Sequence, residues 1–365
     1  MRKRLRSLKP MATPQSNGKR LTIREFAQAL GVSTATVSRA IHGRGRISPE
    51  TRARILAQME QLGYTPNLHA QSLARKRSMA VALEYLGAVE VLSDSFLVEL
   101  ARGVQKNLVP HRYRLLLNLT GDLKYRRSVV RQWIRAQVVD GIVVVANPCV
   151  DAEWLRALAA EGIPTVWIAY DVPSPLPERV AVVQLDLSPG WNEAIAYLRQ
   201  LGHQRIGYLG ALRDDPALEI IQNAAATHRV QIEPVWFAQG ETPEDGYQAM
   251  LQLLRTHPLP TALLVRTDLM AFGALQALQQ NGVAVPEAIS LVGHDDLPIA
   301  QWMNPPLSTI QIDYTLLGHH AVELLMRMLN HPEQPVASVR VATRFIARRS
   351  TAPVHNHSVK EVKNP

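Results

Sequence analysis

From Met79 onward the chain repeats one alternation. Short apolar runs, "MAVALEYL", "YRLLLNL", "GIVVVA", "TVWIAY", "RIGYLG", "ALLVR" and "ISLVGHD", are separated by longer amphipathic stretches. Those stretches include "FLVELARGVQKNL", "RRSVVRQWIRAQ", "AEWLRALAAEG", "WNEAIAYLRQLG", "TPEDGYQAMLQLLR" and "LMAFGALQALQQNG". Continuous apolar runs read as buried parallel strands, and the stretches between them read as helices. Parallel strands cannot be joined by a tight turn, so each helix acts as a right-handed crossover. The pattern predicts an α/β core over residues 79–350. So many units exceed one ordinary sheet, so two lobes are expected, with a cleft between them. In open sheets of this kind the site lies at the carboxyl ends of the strands.

The first 77 residues have a different character. They hold 16 Lys/Arg against 3 Asp/Glu, a balance of +13, whereas the remainder holds 24 against 28, a balance of −4. A basic segment on a mildly acidic body reads as a polyanion-binding module. Residues 1–20 are read as a basic disordered arm, lacking the apolar centre of a signal peptide. No apolar run approaches the ~18 residues of a membrane span. The single cysteine, Cys149, excludes an intrachain disulfide and a cysteine-clustered zinc site. A cytoplasmic setting is expected, with no membrane partner.

Residues 21–65 carry strong helix signals. Thr22 followed by Glu25 is a capping box, and Ile23, Phe26, Ala27 and Leu30 then form one apolar stripe that Gly31 ends. Ser33 caps a second helix with Val37, Ala40 and Ile41 facing inward. Its outward face is Thr34, Ala35, Ser38 and Arg39. Ser48 and Pro49 open a third helix, which Gly63 ends. Three such helices form an all-α helix-turn-helix headpiece. The small polar outward face of "VSTATVSRAIHG" suits close approach to the major groove. Thr34 and Thr36 can bond base edges or phosphates, Ala35 can touch a thymine methyl, and Arg39 can bond guanine with two donors. The competing reading is a small protein-binding domain. Residues 66–78, "PNLHAQSLARKRS", suggest a short hinge helix capped by Asn67, too short to stand alone. Thr22, Ser33 and Asn67, at helix starts, complete the headpiece candidates for DNA contact. Residues 351–365 are read as a disordered tail.

"TIREFAQALGVSTATVSRAIHG" followed by "YTPNLHAQSLA" resembles the headpiece and hinge of the LacI/GalR family of bacterial transcriptional regulators. "VDGIVVV", "LRQLGHQRIGYLG", "TALLVRTDLMAFGALQALQQNGVAVPEAISLVGHDDLPIAQWMNPPLSTI" and "LLGHHAVELLMRML" extend the resemblance over the core. It implies a core similar to type I periplasmic binding proteins, with late residues crossing back into the first lobe. It implies paired hinge helices in the minor groove, with Leu73 as the wedge and Ala70 at the pairing face. His42 stands where the family usually has Asn. For the effector pocket it implies Phe96, Asp171, Asp295 and Tyr314. Thr267 replaces the usual Asn, and the usual Arg on the helix after "YLG" is absent. Arg213 is the candidate replacement, and Glu241 is a further acceptor. The alternative for Asp171 and Asp295 is loop capping. This pocket holds more acceptors than donors unless Arg213 enters it.

The function implied is a ligand-responsive, sequence-specific DNA-binding regulator, a repressor of carbohydrate-related genes. Its expected partners are a near-palindromic double-stranded operator, a sugar or sugar derivative, and a second copy of the chain. The tail has no leucine heptad, so a homodimer is the expected end point. The alternative is a cytoplasmic small-molecule binding protein without a DNA role. No P-loop, G-x-S-x-G, H-E-x-x-H or CxxC motif is present, so no enzyme activity, cofactor or metal is expected. His319 and His320, as sequential neighbours on a helix, are expected to point in different directions.

Overall fold

The computed structural model describes residues 21–42, 45–66, 77–85, 95–118, 123–145, 148–170, 172, 175–210, 215–256 and 258–354. The chain divides into two compact units that part between Ser78 and Met79. The first holds α1 (Ile23–Ala29), α2 (Thr34–His42) and α3 (Pro49–Gln61). The capping box at Thr22 forms as its spacing predicts: Glu25 N–H reaches Thr22 Oγ1, and Thr22 N–H reaches Glu25 Oε2 at 2.8 Å. Gly31 closes α1 with φ +65, in the left-handed region that a side chain disfavours. Phe26, Ala27, Val37, Ala40, Ile55 and Tyr64 are buried together, with Phe26 stacked on Tyr64 at 4.3 Å. Arg52 of α3 donates to the Ala40 carbonyl at 3.2 Å, so α3 braces the end of α2.

The second unit is two lobes. Its elements in the first lobe are β1 (Ala80–Tyr85), α4 (Ser95–Leu108), β2 (Arg114–Leu117), α5 (Leu123–Arg135), β3 (Gly141–Val145), α6 (Pro148–Ala160), β4 (Thr165–Ala169) and β5 (Val180–Asp186). After α7 (Ser188–Gln200) come β6 (Arg205–Gly210), α8 (Pro216–His228), β7 (Gln231–Phe237), α9 (Pro243–Thr256), β8 (Ala262–Val265), α10 (Asp268–Gln280), β9 (Ser290–Asp295) and β10 (Ser308–Gln311) in the second lobe. The chain ends with α11 (Tyr314–Asn330), β11 (Val339–Ala342) and β12 (Arg344–Ile346).

The first sheet runs β11-β5-β4-β3-β1-β2 and the second β12-β10-β9-β8-β6-β7. Every pairing is parallel except β10 with β12. The central strands are buried on both faces, as their unbroken apolar runs require. β2 is the exception among the runs read as buried: as the edge of its sheet it is half-exposed. The return of late residues to the first lobe is observed. α11 packs on α4 and beneath β3, β4 and β5, β11 joins the first sheet, and β12 joins the second. Gly103 of α4 and Gly318 of α11 make that packing possible. A Cβ on Gly318 would lie 2.4 Å from the Gly103 carbonyl carbon.

Residues 351–354 depart from the expected loose tail. Ala352 N–H donates to Ser290 Oγ at 3.1 Å, Thr351 and Ser308 share a hydroxyl contact at 2.9 Å, and Val354 N–H donates to Leu201 O at 2.9 Å. Backbone and hydroxyl bonds to the second lobe, rather than apolar side chains, hold this stretch. That is why apolar patterning alone missed it. The arm at 1–20, the hinge around Asn67, Ala70 and Leu73, and residues 355–365 lie outside the described residues.

Candidate functional site

Two surfaces follow from these elements, one in each unit. On the headpiece, α2 buries Val37 and Ala40 and turns Thr34, Ala35 and Arg39 to solvent, with Ser38 half-buried. Ser33 caps α2 by accepting from Thr36 N–H at 3.1 Å, and its hydroxyl meets Thr36 Oγ1 at 2.9 Å. Thr22 is likewise held by Glu25, at 2.9 Å from its hydroxyl. Thr22, Ser33 and Thr36 therefore shape the helix starts, while Thr34, Ala35 and Arg39 are free to reach outward. A short helix with small outward groups and one guanidinium matches what the major groove admits and reads. His42 ends α2, but its side chain lies outside the described residues.

The second surface lies at the carboxyl ends of the core strands. Arg266 follows β8, and its side chain is only 12% exposed. Its Nε stands 3.3 Å from Asp215 Oδ2 and 3.9 Å from Glu241 Oε1. Tyr170, which follows β4 in the first lobe, couples electrostatically to the same guanidinium, so the interaction spans the cleft. Asp215 caps α8 through Ala217 N–H at 2.9 Å and also accepts from the Tyr208 hydroxyl. Burial alone would lower the Arg266 pKa, but Tyr170, Glu241 and Asp215 together raise it well above its usual value. Burial, then the Asp215 charge, raises the Tyr208 phenol well above its usual range. A buried guanidinium with such partners is a fixed cation.

Beside it, Asp295 ends β9, is 7% exposed and has φ +113. Its Oδ1 lies 3.1 Å from Nδ1 of His294. The His294 imidazole is fully buried and lies flat on Trp191 at 5.4 Å between ring centres. Burial, then the Arg266 charge, lowers its pKa to about 3, so it is neutral. Asp268 has a structural place. It accepts from Leu297 N–H at 2.8 Å and Thr309 Oγ1 at 2.6 Å, and burial followed by repulsion from Asp295 raises its pKa well above the usual value. Thr267 caps α10 by accepting from Met270 N–H at 3.2 Å and is buried. Asp296, the second of the "GHDD" pair, accepts from Arg348 at 2.5 Å and Gln311 at 2.6 Å. Thus the two adjacent carboxylates have different surroundings.

Of the sequence candidates, Glu241, Thr267 and Asp295 come from the second lobe, with Glu241 beside Arg266 and half-exposed. Phe96 opens α4 and packs edge-on against Tyr314 at 5.4 Å. Tyr314 is 8% exposed, at the start of α11 in the apolar core. Asp171 and Arg213 lie outside the described residues. Sequence reading missed Arg266, Tyr170, Tyr208 and Asp215. Arg266 is a donor that the expected shortage of donors did not count. The available signal was its place directly after a buried strand, where α/β folds put their sites. A separate concavity of about 1150 Å³ lies between α5 and α6, where Arg127 and Arg131 stand 5.4 and 5.0 Å from the Trp154 ring centre. Its lining shares no residue with the polar cluster at the strand ends.

A DNA-reading headpiece joined to a two-lobed core with a polar cleft defines a ligand-responsive transcriptional regulator. Residues 22–67 match the family described as bacterial regulatory proteins, lacI family, and residues 195–351 match a periplasmic binding protein-like domain. The chain is 30% identical over 335 residues to the probable HTH-type transcriptional repressor ExuR of Bacillus subtilis (strain 168), covering 90% of this chain and 98% of that one. It is 26% identical over 337 residues to catabolite control protein A of Priestia megaterium, covering 91% and 99%. In fold it matches the lac repressor dimer bound to operator and the anti-inducer ONPF, with TM-score 0.76 and 24% identity, covering 92% of this chain and 100% of that one. A complex of the transcriptional regulator CelR with cellobiose gives TM-score 0.66 at 25% identity, covering 91% and 100%. The chain belongs to the lacI family of bacterial regulatory proteins, and it is a sequence-specific DNA-binding transcriptional regulator.

Proposed function

We propose that the protein is a homodimeric repressor of carbohydrate-related genes, released from or held on a near-palindromic operator by a neutral sugar or sugar derivative. The observation that carries the effector reading is the polar cluster at the strand ends. Arg266 is opposed by Asp215 and Glu241, so its charge is largely balanced before a ligand arrives. Asp295 and the half-exposed Glu241 offer acceptors to hydroxyl groups, and Arg266 offers donors. A neutral polyol meets both without bringing an uncompensated charge into the cleft. The positive φ of Asp295 supports the same assignment, because strained non-glycine backbone gathers at ligand sites. Phe96, partly buried at the start of α4 against Tyr314, is assigned as an apolar wall of the cleft. Names and complexes of relatives support the class: a repressor, an operator-bound dimer and a cellobiose complex.

For the headpiece, Thr34, Ala35 and Arg39 are assigned to bases. Thr22, Ser33, Thr36 and Ser38 are assigned to phosphate contact or helix capping. Within this proposal residues 21–65 form the DNA-binding domain and residues 66–78 the hinge, with Leu73 as wedge.

The test measures operator binding by fluorescence anisotropy across a panel of neutral and anionic sugars, with the wild-type chain and Asp295→Ala. A neutral sugar is expected to change wild-type affinity for operator. Removing a buried charged partner costs about 2–5 kcal/mol of ligand binding, so the variant should lose that response while binding operator normally. A variant with a normal response, or a response confined to anionic sugars, overturns the assignment.

A further inference from the structure

We infer that α11 and α4 together build a surface site for a divalent transition-metal ion, with zinc the ion its ligands suit best. The residues are His319, His320 and Glu323, one turn of α11. Among the described residues they form a group whose ligand atoms all lie within 4.8 Å of one another. The two histidines do not diverge as sequential neighbours were expected to. Their rings are 5.3 Å apart, and both turn toward Glu323.

The arrangement divides the work between atoms. Glu323 Oε1 is held by Arg327 at 2.7 Å, which leaves Oε2 facing the imidazoles. Oε2 lies 3.8 Å from His319 Nε2 and 3.5 Å from His320 Nδ1. Ligands ~2.1 Å from a tetrahedral ion stand ~3.4 Å from one another, so both separations suit a shared ion. His320 Nδ1 is buried and has no hydrogen-bond partner, an arrangement that costs free energy unless something occupies it.

The tautomer of His319 is set from outside. Asn107 of α4 donates its Nδ2 to the Gly103 carbonyl at 2.9 Å, which turns its Oδ1 toward His319 Nδ1 at 3.2 Å. An acceptor at Nδ1 places the proton there and leaves Nε2 with a free lone pair. This is the relay that orients metal-ligating histidines. His319 is 54% exposed at its side chain, so a fourth position opens to water. Two imidazoles, one carboxylate and an open position suit zinc, and also cobalt, nickel or copper, rather than calcium or magnesium.

Full-length protein made without a histidine tag and stripped by a chelator should be titrated with Zn²⁺ by calorimetry. Co²⁺ absorption serves as a second readout of ligand geometry. One ion per chain is expected, lost in His319→Ala with His320→Ala. Glu323→Gln and Asn107→Ala should each weaken binding ~10–100-fold, the range for orienting partners and ligands. Thermal unfolding of the metal-free variants checks that they fold. Zn²⁺ should raise the melting temperature of the wild type and leave the double variant unmoved. Equal stoichiometry and affinity in the wild type and the folded double variant overturns the site, as does a wild type that binds no ion.

Discussion

Two arginines show how far surroundings decide a residue's part. Arg39 is exposed on α2, beside the small residues that let a helix approach the groove. Arg266 is enclosed by Asp215, Glu241 and Tyr170. Arg39→Ala should therefore cost ~1–3 kcal/mol on the cognate operator and relax base preference there. Binding of cognate and scrambled duplexes at one salt concentration checks this, and an unchanged ratio of the two affinities sinks it. His294 makes a pH prediction. Its imidazole titrates near 6.5 when unfolded and at about 3 when buried, so between those values the unfolded chain holds one more proton. The stability it allows is present above about pH 6.5 and is lost as pH falls toward 3. Its slope is ~1.4 kcal/mol per pH unit. Asp268, with a raised pKa, acts in the opposite direction, so the comparison must isolate His294. The difference in urea-unfolding free energy between wild type and His294→Asn should shrink with that slope as pH falls. A pH-independent difference counts against a buried neutral imidazole. At this scale the sequence showed which residue types were candidates. The resemblance singled out Asp295, but nothing local foretold that Asp268 and Asp296 would be spent on structural hydrogen bonds, since all three sit at or beside strand ends.

At the scale of elements, local chemistry was legible wherever it acts within a few residues. Thr22 with Glu25, Ser48 with Pro49, and the left-handed Gly31 and Gly63 place the headpiece helices within one residue. The longer apolar runs became strands. β5, β7, β10, β11 and β12 went unread. β7 contains Pro234, which lacks a donor and tells against a central strand, and it is in fact an edge strand with an irregular register. β11 and β12 have four and three residues and exist only because neighbouring strands recruit them. The α4–α11 crossing yields a prediction of its own. In an exposed helix, Gly→Ala gains ~1 kcal/mol from propensity. At Gly318 the new methyl would stand 2.4 Å from backbone of α4, so steric cost should dominate. Gly318→Ala is expected to lose ~1–3 kcal/mol in urea unfolding, and a stabilised variant would show that the helices do not meet this closely.

For the whole molecule, the open question is what the second unit presents to another copy. Trp302 is 81% exposed on a short 3-10 turn, with Ile299 beside it 37% exposed. A tryptophan this wet is unusual for a core-forming side chain, and interfaces favour such residues. Trp302→Glu should weaken self-association by ~30-fold, matching the ~2 kcal/mol of an interface hot spot. Sedimentation at micromolar concentration should show a wild-type dimer and a variant shifted toward monomer. An unshifted dimer would place the interface elsewhere. The sequence by itself determined the two-part charge layout, the headpiece helices, the α/β class and the family. The first three follow from periodicity, capping and composition, which act between near neighbours, and the family from the resemblance of whole motifs. Only the tertiary structure decided that Tyr170 and Arg266 meet across the cleft, that Asp295 and Asp296 part ways, and that His319, His320 and Glu323 converge. These depend on where distant segments come to rest, through strand order and the close packing of α11 on α4, and no local pattern carries that information.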